Sequence, residues 1–161
     1  MPEYSLAFSK KLNEAAGLVI GDGTTEVDAR RTAAYLSLLS TEISLKAMLE
    51  KAGYEISAIK RHSHNLKALL TEICRCKVKV QLTKSKEHFV SAAEICPLRI
   101  AHEGAVATFG KIIEAEERGA SQYPNQVRYG DKFIHYHPEV LRQMAAQAIQ
   151  FAEKHWDTIK K

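Results

Sequence analysis

Between Glu26 and Ala52 the chain contains neither proline nor glycine, and Gly53 follows at once. That uninterrupted stretch limits the fold more than any other feature. As a helix of about 27 residues it would be about 40 Å long at about 1.5 Å per residue. Leu36, Leu39, Ile43 and Ala47, flanked by Leu45, Met48 and Leu49, give it an apolar face too broad for a solvent-bridging helix. It is therefore expected at the centre of the packing. Thr25 suits its N-cap, with Asp28 three residues on as an approximate capping box, and Gly53 ends it.

The rest of the chain supplies helices to pack against it. Phe8, Leu12, Ala15, Ala16 and Val19 recur at helical spacing over residues 4–19, and Gly21-Asp22-Gly23 stops that run. A short helix is expected over 65–73, with Leu66, Leu69, Leu70 and Ile73 inward. Helical signals resume near Lys84 and break at Cys96, because a residue before proline avoids helix. A further helix is expected over 98–118, weakened by Gly104 and Gly110. The last begins at Pro138 and carries a stripe of Leu141, Met144, Ala145, Ala148, Ile149, Ala152, Trp156 and Ile159. Two stretches depart from this pattern. From Cys74 to Leu82 apolar and polar residues alternate, a period of two that reads as an extended edge segment or a basic ribbon. Gly130-Asp131 between β-prone flanks reads as a small hairpin near 126–136 or an ordered loop.

Composition agrees with one helix-rich domain. The chain has 161 residues, 45% of them apolar and 26% charged, with only four prolines and eight glycines. The expected fold is an all-α, up-and-down bundle of about five to six helices. No apolar run nears the roughly 18 residues that would span a bilayer. Met1-Pro2-Glu3-Tyr4 lacks a signal-peptide pattern, and three cysteines do not suit a secreted disulfide framework. A cytoplasmic setting is expected. The net charge of +4, from 23 basic and 19 acidic side chains, permits contact with phosphates without requiring it.

Three segments resemble a known family. Glu42-Ile-Ser-Leu45-Lys46-Ala47-Met-Leu49 with Gly53 resembles the long first core helix of HEPN domains. Ser63-His64-Asn65-Leu66 with Leu69 resembles the family's Gly-His-Asp-Leu step into the next helix, with Ser63 for Gly and Asn65 for Asp. Gln126-Val127-Arg128-Tyr129 resembles its Arg-Tyr-Pro segment, with Gly130 where proline is usual. The resemblance covers residues 30–155. It implies a helical bundle that pairs as a homodimer, without a cofactor. It also implies a choice of roles: a binding module for RNA, a nucleotide or a partner protein; a metal-independent, toxin-like endoribonuclease; or a structural partner of a separately encoded nucleotidyltransferase.

The side chains suited to each role can be named. Arg128 and His135, with six residues between them, fit the spacing of the ribonuclease branch. Arginine would stabilise phosphorane charge and histidine would move protons. Arg61, His62 and His64 could hold a phosphate at the start of the following helix, with Tyr129 as a further contact. Alternatively His64 caps or underlies that helix while Arg61 is solvated. Arg99 and His102 are expected one turn apart on a helix as a polar contact. Cys74, Cys76 and Cys96 lack the double-pair spacing of a zinc site, so no metal is expected. Glu42 is expected near the core boundary, paired with Lys46 at i+4.

Overall fold

The computed structural model describes residues 1–21, 26–125, 127 and 136–161. Its elements run α1 (Leu6–Ile20), α2 (Val27–Lys51), α3 (Ile56–Arg61), α4 (Leu66–Arg75), β1 (Lys77–Thr83) and β2 (Lys86–Ser91). A single 3-10 turn (Ala92–Ile95) follows, then β3 (Arg99–His102), β4 (Ala105–Thr108), α5 (Phe109–Glu117) and α6 (Pro138–His155). The result is a predominantly helical bundle with two small antiparallel hairpins.

The long helix occupies the centre, as its composition requires. α2 packs against α1, α4 and α6. Leu38, Leu45, Met48 and Leu49 are fully enclosed with Leu69 and Ile73 of α4, Ile112 and Ile113 of α5, and Leu141 and Met144 of α6. Each such side chain contributes about 1.5–3 kcal/mol relative to exposure. α2 ends as the glycine dictates. Gly53 adopts φ 92°, Tyr54 N–H donates to Leu49 C=O at 3.0 Å, and Gly53 N–H donates to Glu50 C=O at 3.0 Å. This is the paired closure that a left-handed residue makes after a helix.

The face that α1 buries differs from the expected one. Ser9, Asn13 and Ala16 are buried, whereas Phe8 is 53% exposed. Ser9 Oγ lies 2.6 Å from Ser44 Oγ and donates to Ser40 C=O at 2.7 Å, while Ser40 Oγ donates back to Ser9 C=O at 2.8 Å. Small hydroxyl side chains let two backbones approach closely and satisfy each other, so this contact is invisible to apolar periodicity. On α2, Leu36, Leu39 and Ile43, expected on the buried face, are half-buried.

Three further expectations are corrected. Residues 86–91 form β2 rather than a helix, pairing with β1 in the register Val78↔Val90 and Lys79↔Phe89. An alternating seven-residue strand leaves its N–H and C=O groups open, and the next segment closes them. Residues 99–108 form the β3–β4 hairpin, not the first half of a helix. Its turn residues Glu103 and Gly104 both have positive φ, 48° and 82°, which is how a two-residue hairpin turn follows strand twist. Arg99 and His102 accordingly lie on a strand and not one helical turn apart. Finally, α6 stops at His155, and Lys160 instead pairs with Lys77 of β1 through backbone hydrogen bonds of 2.8 and 3.0 Å. The hairpin or loop expected near 126–136 and the Thr25 cap lie outside the described residues, except for Val127, buried in the core, and half-buried Tyr136.

Candidate functional site

α2 carries a carboxylate in the interior. Glu42 is 3% exposed at its side chain, and Oε1 accepts from Lys46 Nζ at 2.7 Å, one turn along the same helix. Lys46 is itself 8% exposed and reaches the Tyr4 ring, 5.4 Å from its centroid. The i+4 pairing was legible in the sequence; its depth was not. A buried ion pair holds only when its other lone pairs find donors. They do: Oε2 lies 2.9 Å from His64 Nδ1 and accepts from the Tyr123 hydroxyl at 2.6 Å.

This centre joins distant stretches of chain. His64 is 22 residues from Glu42, and Tyr123 is 81 residues away. Two segments singled out in the sequence, around Glu42 and around His64, thus meet at one hydrogen bond. His64 neither caps α4 nor packs beneath it. Asn65 is the cap, its side chain accepting from Ala68 N–H at 2.9 Å. Ser63 at φ 49° turns the chain so that His64 reaches back to α2. As partner of the Lys46 ammonium, Glu42 offers acceptors at both oxygens, so His64 donates through Nδ1. That fixes the ring and leaves Nε2 for solvent or a ligand. The His64 side chain is 49% exposed, and its ring meets Tyr123 edge-on with centroids 6.0 Å apart.

Beside His64 lies a cavity of about 460 Å³. One part of its wall is the α3–α4 turn with His62, Asn65 and Lys67; another is the end of α5 with Glu116 and Glu117. The first part adjoins the start of α4, where the opening amides of a helix have no intrahelical acceptor. Glu116 Oε1 accepts from Ser121 Oγ at 2.9 Å. The wall therefore carries Lys67 and His62 on one side and two glutamates on the other.

A second polar cluster sits where α6 begins. His137 is its N-cap, with Nδ1 accepting from Glu139 N–H at 3.1 Å. The His137 ring stacks on His102 with centroids 4.4 Å apart. Burial, then the nearby His102 and Arg30, hold the His137 imidazole below the ordinary histidine range. The unprotonated Nδ1 is what lets it cap the helix.

Of the residues singled out from sequence, His62 and His64 are brought to the cavity. Arg61, exposed at the end of α3, is not among the residues lining it. Arg128, Tyr129 and His135 lie outside the described residues. Sequence reasoning missed Tyr123, Lys67 and the two glutamates, because their association depends on how α5 and residues 121–125 return to α4. Among the described residues no cluster of His, Cys, Asp and Glu is arranged to hold a metal, and no helix is long and apolar enough to cross a membrane. Comparison with family models, with curated proteins and with solved structures finds no match.

Proposed function

We propose that the chain is a HEPN-like, cytoplasmic, homodimeric binding module whose ligand is a nucleotide, free or as a unit of RNA, held in the cavity beside His64. The observation that carries this reading is the His64 ring, fixed by buried Glu42 at 2.9 Å, with Nε2 left available next to that cavity. A buried ion pair spent on orienting a half-exposed imidazole is costly to the fold unless the imidazole is used. Lys67 and His62 suit a phosphate near the start of α4, supported by its opening amides. The exposed Glu117 carboxylate suits a hydroxyl or amino donor of a ribose or base. Carboxylates in the same wall disfavour a bare polyanion, so a nucleotide fits better than a run of backbone phosphates. The half-buried Leu36, Leu39 and Ile43 on α2 supply an apolar stripe for a second copy.

Calorimetric titration with a panel of nucleoside mono-, di- and triphosphates and a short single-stranded RNA tests this. A nucleotide should bind, and affinity should fall in Lys67→Ala and His64→Ala, each loss of a charge-assisted contact being about 1.5–3 kcal/mol or about tenfold or more. Affinity should decline with salt as phosphate contacts are screened. Retention of full affinity in both variants, or no binding by the wild type, would remove the reading. Salt-insensitive association with a protein through an apolar surface would favour the nucleotidyltransferase-partner role instead.

A further inference from the structure

The junction between α4 and the 3-10 turn holds two thiols in contact. Cys74 Sγ and Cys96 Sγ are 3.6 Å apart, and both residues are partly exposed. Their backbones are fixed from several sides. Ser91 Oγ donates to Cys74 C=O at 2.7 Å, and Ala92 N–H donates to Cys76 C=O at 2.8 Å. Gly110 N–H donates to Cys96 C=O at 3.0 Å. A methyl group on Gly110 would stand 3.2 Å from Cys96 Cβ, so α5 presses against this residue. Cys76 is fully buried, and its thiol faces Glu72 C=O at 3.5 Å rather than the pair.

We propose that Cys74 and Cys96 are a dithiol site that small disulfides such as oxidised glutathione convert to an intramolecular disulfide, clamping the base of the β1–β2 hairpin. The thiols already touch, and a disulfide needs sulfurs about 2.05 Å apart, so closure requires a side-chain shift of about 1.5 Å. The two residues are 22 positions apart and enclose the whole hairpin, so the bond would tie both of its ends. The reaction balances. One thiolate attacks the small disulfide, forming a mixed disulfide and expelling one small thiol. The second thiol then attacks the protein sulfur of that mixed disulfide and expels the other. The protein loses two electrons and two protons, and the small disulfide gains them as two thiols.

Burial first, and then the hydrogen bond to Cys96, push the Cys74 thiol up to about 12. The reaction is slow at neutral pH and faster in alkaline buffer, which suits a pair that stays reduced until the small-thiol pool is oxidised.

The full-length chain is incubated with oxidised glutathione or with dithiothreitol, then read by intact mass, alkylation and peptide mapping. The expected product is a single chain, not disulfide-linked to another and about 2 Da lighter, with a Cys74–Cys96 peptide and Cys76 alkylated once the chain is unfolded. Its melting temperature should rise by about 4 °C or more and return on reduction. Cys76→Ser should behave as wild type. Cys96→Ser, with folding checked by circular dichroism, should show neither the mass loss nor the rise. Three unpaired thiols after oxidation, a bond to Cys76, a persistent glutathione adduct or a disulfide-linked dimer would overturn the assignment. A Cys74–Cys96 bond without a rise in melting temperature would overturn the clamp.

Discussion

Truncating Glu42 to alanine should destabilise the protein by about 3–5 kcal/mol, because it leaves a charged partner enclosed with nothing to balance it. Lys46 is 8% exposed and its ammonium lies 2.7 Å from Glu42 Oε1, so water cannot readily replace the lost carboxylate. The Tyr123 hydroxyl and His64 Nδ1 lose their acceptor together with it. Urea denaturation followed by circular dichroism measures the effect. With a slope of about 2 kcal/mol per molar for a chain of this size, the midpoint should fall by about 1.5–2.5 M. The companion variant, Glu42→Leu with Lys46→Met, removes both charges and retains volume, so most of the stability should return. That double variant should nevertheless bind nucleotide poorly, because His64 is no longer oriented. A midpoint shift under about 0.5 M in Glu42→Ala would show that Lys46 is solvated and would refute the buried-pair argument. A double variant as unstable as the single one would refute the cause assigned to the loss.

Three further outcomes are expected. Burial, then Lys154, hold the His155 imidazole below the ordinary histidine range, so the unfolded chain takes up a proton that the folded one resists. The stability His155 provides is complete above the unfolded histidine value of about 6.5 and falls as pH drops toward the folded one. Melting temperatures measured from about pH 8 to about pH 5 should therefore decline less steeply in His155→Gln, and an unchanged slope would contradict this. Gly53→Ala should cost about 1–2 kcal/mol from its φ of 92° alone, since an added Cβ there meets nothing within 4 Å; Gly53→Asn should cost less in the same denaturation assay. An RNA pool incubated in EDTA should stay intact with the wild type; cleavage lost in both Arg128→Ala and His135→Ala would replace the binding reading with a metal-independent ribonuclease.

The helices were legible as elements because apolar spacing marks them, even where, as in α1 and α2, it misplaces part of the buried face. α2 with its glycine stop, α4 with its inward Leu66, Leu69, Leu70 and Ile73, and the start of α6 at Pro138 all lie where local chemistry places them. β1 was also legible from its period of two, although Cys74 and Arg75 at the start of that alternation end α4 instead. Its partner β2 was not, because Phe89 and Val90 are compatible with helix or strand until β1 offers an edge. Gly104 read as a flaw in a helix when it was the turn of a hairpin. At the site, the Glu42–Lys46 pair followed from i+4 spacing on one helix. His64 and Tyr123, far along the chain from Glu42, converge only after the core closes.

The sequence by itself determined a helical domain around α2, with a carboxylate and a lysine paired along it. Only the tertiary structure decided that this pair is buried, that α1 docks through Ser9, Ser40 and Ser44, and that His64 is fixed beside a polar cavity. The division has one physical cause. Helix propensity, caps and apolar period act within a few residues, whereas the depth of a charge and the partner of a buried hydroxyl depend on which distant backbones exclude water around them.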